Sequence, residues 1–310
     1  MSSSPSASSS SRSEAGLAAA LAAVIIWALV PVGTRFFVLR IDPFVFNAIR
    51  FAASGTAAIP LFLRARPWRW PMADRLLLLG CAALSVPGYN IPVALGARTV
   101  PASQLGLLIA TEPVFIVVFT LILHRQRIRG RVIIGSALAL AGVALTSQGP
   151  PSPQGFRWIS ALQVLAGAAS WSCYTVLAAP LSRRYGSFGV TGAVLVVGSG
   201  VLFALSLPAM HAMSMPDRTT TLLLAGMGLT SSLMGFLLWN YAGARVPAER
   251  IGLMLYLIPI VCVLAGVGFL SEPLNGQIIL GGALTVFGVW VASRVARSVP
   301  GPISQASDSA

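Results

Sequence analysis

Two charges stand where a membrane would tolerate them least. Glu112 lies with Pro113 in the middle of LGLLIATEPVFIVVFTLIL (residues 105–123), and Arg50 lies inside the apolar run containing FNAIRFAAS. An ionised group buried in lipid costs on the order of 3 kcal/mol on insertion scales, so each should face the interior of a helix bundle. Glu112 has three readings: polar lining of a central cavity, a structural ion pair with Arg50, or a carboxylate that carries protons. Arg50 has one more, because its long side chain can reach up to the outer interface.

Pro113 frees the carbonyl of Ile109 and bends its helix. Pro259 does the same to Leu255, and both prolines act as site or hinge markers. Around them recur groups suited to holding a small molecule. Gln104, Thr111 and Glu112 share one helix face, and Gln163, Ser170 and Tyr174 share another. PGYNIP (87–92) weakens its helix while offering Tyr89 and Asn90, and Tyr256 precedes Pro259 by one turn. Trp27 and Trp171 come at comparable depths. Aromatic faces with a few polar groups suit an amino acid or an aromatic compound, although large rings also fill gaps between helices. Trp239, Asn240 and Tyr241 read as an interfacial belt. Glu249 reads as an acid at a helix start, and Glu272 as the residue that fixes the turn before the last helix.

Catalysis finds little support. AASG (52–55) faintly suggests a membrane serine nucleophile, but the only histidines, His124 and His211, lie at loop edges, far from a serine–histidine pair. There is no acidic metal cluster, no phosphate-binding glycine–lysine motif and no residue set for a cofactor. Cys81, Cys173 and Cys262 are scattered in apolar runs and read as small core residues. A non-enzyme is expected, with an intramembrane enzyme or a passive channel as the alternatives.

The elements that hold these groups follow from composition. Of 310 residues, 56% are hydrophobic and 9% charged, which places the chain in a lipid bilayer. Its net charge of +13 comes from arginine alone. The arginines lie between apolar runs, not on one polar face, so no nucleic-acid partner is expected. Apolar runs occur at about 16–39, 43–63, 74–97, 100–123, 130–147, 158–180, 187–210, 219–243, 249–270 and 277–296. In lipid the backbone must satisfy itself, so the expectation is an all-α integral membrane protein of ten transmembrane helices. With the N-terminus inside, 15 arginines fall on inner segments and 5 on outer ones, Arg50 apart. Both termini should then be cytoplasmic, in a bacterial inner membrane. Residues 1–15 and 298–310 read as disordered tails.

The chain also repeats itself. VPASQLGLLIATEPVFIVV from Val100 aligns with VPAERIGLMLYLIPIVCVL from Val246, an offset of 146 residues. Pro101, Gly106, Pro113, Gly130, Gly135 and Gly142 all meet their own type at that offset. Two five-helix halves (16–147 and 158–297) flank a linker at 148–157. An odd number of helices per half inverts the second copy. The Gly135/Ala139/Gly142 and Gly281/Thr285/Gly288 faces permit close packing, either inside the chain or across a homodimer seam.

With its helix count, its repeat and the stretch FLSEPLNGQIILGGALTVFGVWV, the chain resembles the EamA-type transporters of the drug/metabolite transporter superfamily. Glu272 matches the glutamate those proteins carry at this helix end, whereas Gln126 stands at the equivalent place in the first half. The resemblance implies a secondary active transporter working by alternating access. Such a protein would export small metabolites, amino acids or drugs without ATP, its partners being the small-molecule substrate and the lipid bilayer.

Overall fold

The computed structural model describes residues 6–123, 130–146, 158–213, 215–243, 245–246, 254–255, 257–272 and 274–293. Among these residues every regular element is helical. The first is α1 (Ser6–Val38), followed by α2 (Pro43–Ala57) and α3 (Ile59–Ala65). Next come α4 (Met72–Ser85), α5 (Pro87–Gly96), α6 (Ala102–Ile109), α7 (Glu112–Leu123) and α8 (Gly130–Thr146). The remainder are α9 (Trp158–Tyr185), α10 (Ser187–Ala212), α11 (Arg218–Gly228), α12 (Gly235–Gly243), α13 (Leu257–Leu270) and α14 (Gly276–Ser293). Between α11 and α12 the chain makes a π-helical turn, Leu229–Met234. Six helical stretches are long and apolar enough to cross a bilayer, and a pair bent by 51°, α2 with α3, makes a seventh. Three more apolar helices are shorter. Helix α1 begins at Ser6, within the stretch whose composition suggested a disordered tail to residue 15. The alanine-rich start of the span can propagate helix backwards once it is nucleated.

Polarity runs from the inside out. Phe269, Leu280, Leu264 and Leu222 are exposed, while Asn47, Arg50, Ser54, Asn90, Gln104 and Thr111 are buried. That arrangement suits a lipid surround, where apolar side chains face outward and polar ones need protein partners. Prolines break several spans. Pro60 accompanies the α2–α3 bend, Pro87 the α4–α5 junction, and Pro113 the junction of α6 with α7.

The halves meet through repeat mates. Gly142 packs against Gly281 and Thr285, and Gly288 packs against Gly135 and Ala139. As the number rises along α8 it falls along α14, so the two run antiparallel. The contact is self-complementary: 142 touches the mate of 135, 135 touches the mate of 142, and Thr285 donates to the carbonyl of its own mate Ala139 at 3.3 Å. The small-residue faces that left a homodimer seam open are thus packed against each other inside one chain. Other pairings, α5 with α9 and α1 with α12, are equivalent under the same exchange of halves.

Candidate functional site: a charged and aromatic centre between the halves

The site starts from backbone interruptions. Helix α6 stops at Ile109, two residues form a turn, and α7 restarts at Glu112. There the Thr111 hydroxyl donates to the Leu108 carbonyl at 2.6 Å, absorbing one of the acceptors that the missing helical bonds leave. The second half repeats this: Leu255 is in a turn, α13 begins at Leu257, and the Ile258 N–H reaches back to the Leu255 carbonyl at 3.1 Å. Pro113 and Pro259 each sit one or two residues into the restarted helix.

Glu112 therefore occupies the first residue of α7, where the helix dipole favours a negative charge. It is half-buried, and its backbone carbonyl accepts from the Ser172 hydroxyl at 3.0 Å. Its carboxylate has neither an ion-pair nor a hydrogen-bond partner among the described residues.

Arg50 lies 3% exposed in α2 and does not reach the outer interface. Nor does it pair with Glu112: ion pairs among the described residues join Arg98 to Asp42 and Arg184 to Asp74. The reach of a long arginine side chain suggested the pair across their difference in depth, but that side chain is directed to Ser231, Phe46 and Phe51 instead. Its Nη2 donates to the Ser231 hydroxyl at 3.3 Å, and its guanidinium lies 5.0 Å from the Phe46 ring centre and 5.4 Å from that of Phe51. Its Nε is buried without a partner. Tyr89 lies within electrostatic range of both Arg50 and Glu112.

Ser231 is placed by the π-turn. Its hydroxyl donates to the Met227 carbonyl at 2.6 Å, and its own carbonyl accepts from Trp27 Nε1 at 3.0 Å. One residue thus fixes both a cation and a ring. Gly228 brings the α11 backbone against the Arg50 carbonyl, an approach that any side chain would block.

Half-buried aromatic rings continue from there in a row. Tyr89 and Trp171 have centres 5.4 Å apart, Trp171 and Phe236 5.5 Å, Phe236 and Trp27 5.6 Å, and Trp27 and Trp239 5.3 Å. Tyr174 branches from Trp171 at 5.0 Å. The row crosses from α5 through α9 and α12 to α1.

The structure thus brings Trp27, Arg50, Tyr89, Trp171 and Tyr174 into one neighbourhood. Asn90 is otherwise engaged: its amide donates to the carbonyls of Ser85 and Val86 at 3.3 and 2.9 Å, repairing the break at Pro87. Gln104 donates its amide to the Thr146 carbonyl at 2.9 Å, and its own Oε1 is buried without a partner among the described residues. Pro259 is buried beside Gly106. Tyr256, Gln126, Glu249, His124 and the 148–157 linker lie outside the described residues. Sequence reasoning missed Phe236 and Ser231, and assigned Trp239 to an interfacial belt although its ring meets Trp27. Tyr241 does sit at an exposed position, with the Arg245 guanidinium 3.5 Å from its ring centre.

The fold is that of a multi-pass helical membrane protein. The EamA-like transporter family matches residues 14–148 and again 158–294, once in each half. The chain belongs to that family. Among its relatives is a probable terminal-alkyne amino-acid exporter of Streptantibioticus cattleyicolor, 30% identical over 280 residues, covering 87% of this chain and 93% of that one. A probable amino-acid metabolite efflux pump of Escherichia coli (strain K12) is 24% identical over 286 residues, covering 88% and 92%. One crystal structure matches with a TM-score of 0.61 at 22% identity, over 94% of this chain and 99% of that one, a likeness of fold alone.

Proposed function

We propose that the chain is a secondary active exporter of amino acids and related small metabolites across the cytoplasmic membrane. Ten spans form two inverted five-helix halves with both termini in the cytoplasm. The halves rock about the central row and expose one site to each side in turn. The observation that carries the reading is the self-complementary contact of repeat mates, with matched helix breaks beside a charged and aromatic centre. The arginine asymmetry supports the orientation, and the names of the two relatives support the direction and the solute class.

The test is counterflow in proteoliposomes loaded with members of an amino-acid and drug panel. A carrier exchanges labelled solute in a saturable manner that depends on the solute inside. Flux that neither saturates nor depends on internal solute would indicate a channel instead, and breakdown of the labelled solute would indicate an enzyme.

A further inference from the structure

We infer that Asp74 and Arg184 form a latch between the halves, and that it alternates with a second latch, Asp217 with Arg40, at the opposite end of the bundle. The inference rests on the transport reading and names contacts that change as the halves rock. Asp74, in the first turn of α4, accepts from the Arg184 guanidinium and, at 2.6 Å, from the Tyr185 hydroxyl, both at the end of α9. The Tyr185 ring lies flat on Trp70, with centres 3.9 Å and planes 7° apart, and Trp70 Nε1 donates to the Ala65 carbonyl at 3.1 Å. Beneath them Leu78 of α4 packs with Leu181 of α9 and Val190 and Val194 of α10. Helix α4 belongs to the first half, and α9 and α10 to the second, so contacts across the boundary shut this end. The ion pair sits at the rim, where the Arg184 side chain is 63% exposed. Water can solvate either partner there, which makes the closure reversible.

The repeat supplies the same parts at the other end. ADR (73–75) opens α4 and PDR (216–218) opens α11, while Arg184 and Arg40 stand equally far beyond Trp171 and Trp27. Arg35, shortly before Arg40, donates to the Ala97 carbonyl at 2.6 Å, at the far end of the span that α4 begins. Arg40 therefore stands at the opposite end from Arg184. There the parts are not joined. Arg40 donates to the Phe36 carbonyl at 2.8 Å and lies 4.1 Å from the centre of that ring, while Asp217 accepts from Thr220. Among the described residues no ion pair links Arg40 to Asp217. An acid–arginine pair is thus engaged across the halves at one end, and its repeat counterpart is held in local contacts at the other. Exchanging the roles of two inverted halves swaps the closed end, so that Asp217 takes Arg40 as Asp74 releases Arg184.

Amide hydrogen exchange of the full chain in lipid nanodiscs, read by mass spectrometry, tests the coupling. Asp74→Asn removes the closed latch and should speed exchange over residues 66–75 and 181–190 by about two- to fivefold, the population shift that a partly exposed ion pair can hold. The decisive variants lie at the other end. Arg40→Gln and, separately, Asp217→Asn, which keeps a capping oxygen, remove the competing latch. Each should slow exchange over those same two segments by a similar factor. Combining Asp74→Asn with Arg40→Gln should return the rates toward native. A purely structural ion pair at Asp74 would also speed exchange nearby, but substitutions at the distant end would leave those segments unchanged. Unchanged or faster exchange there in both Arg40→Gln and Asp217→Asn overturns the inference. Opposite shifts from the two ends, without counterflow of any solute in the panel, would leave the latch standing and sink the transport reading. Counterflow together with exchange indifferent to both distant variants would sink the latch alone.

Discussion

Two carboxylates of this molecule meet opposite fates. Glu272 follows α13, and Ser271 before it takes a left-handed φ of 52°, turning the chain back. Its Oε1 and Oε2 accept from the backbone N–H groups of Ala102 and Ser103 at 2.6 and 2.9 Å. Helix α6 starts behind Pro101, which offers no side-chain cap, so a residue 170 positions away supplies one. Glu112 begins a helix too, yet its carboxylate accepts from no donor among the described residues. The first acid is consumed by structure, and the second is left available. In a bundle where donors are scarce, that difference separates a staple from a candidate for the proposed site.

Removing the staple should have the largest effect. Glu272→Ala strands two backbone donors at the start of α6 and should lower stability by about 2–4 kcal/mol, read by thermal unfolding in detergent. Glu272→Gln keeps one acceptor oxygen and should lose roughly half as much. An unchanged melting temperature for the alanine variant would erase the distinction between the two acids.

Glu112→Gln should move the other way. It removes an unpaired charge from the interior, so stability should hold or rise by up to about 1 kcal/mol. A fall comparable to that of Glu272→Gln would mean that Glu112 is a structural group after all.

Ser231→Ala tests the buried cation, Arg50, that stands apart from Glu112. It removes the hydroxyl contact to Arg50 and should cost about 1 kcal/mol, while the Trp27 bond survives because it ends on a backbone carbonyl. Solute counterflow should fall, and Ser231→Thr should restore it. If alanine exchanges as well as threonine, Arg50 is not positioned from there.

The sequence foretold the part of this contrast that depends on depth and repetition. Apolar runs became helices, and Pro113 and Pro259 marked matched breaks. Gly135, Gly142, Gly281 and Gly288 announced a close backbone approach, because it admits few other residues, and the structure resolves it as the crossing of α8 with α14 and not a seam between copies. What stayed hidden was rotation and distance along the chain. Arg50 and Glu112 looked like partners from depth alone. A π-turn has no residue signature, so Ser231 was indistinguishable from any other membrane serine. Phe236 went unnoticed because its importance lies in joining two tryptophans from different halves. Glu272 was read as fixing the local turn, whereas Asn275 caps α14, donated to by the Ile278 N–H at 2.9 Å, and Glu272 holds α6.

Asp217 completes the contrast with a third acid, exposed to solvent, and should show the smallest effect. It caps α11, accepting from the Thr220 N–H at 3.1 Å and from the Thr220 hydroxyl at 2.6 Å, much as Glu272 caps α6. Those bonds hold its carboxyl below the usual carboxylate range. A depressed value in the folded state means that the cap's contribution is complete above the unfolded value, about 3.9, and vanishes as pH falls through the folded one. Asp217→Ala should therefore lower the melting temperature slightly at neutral pH, with no change in that deficit between about pH 5 and 8, and the deficit should close toward about pH 3. Water can replace an acceptor lost at Asp217, but not one lost at Glu272. The ratio of the two alanine effects thus measures how far the start of α6 is shut off from solvent, and equal effects would place both caps in the same surroundings.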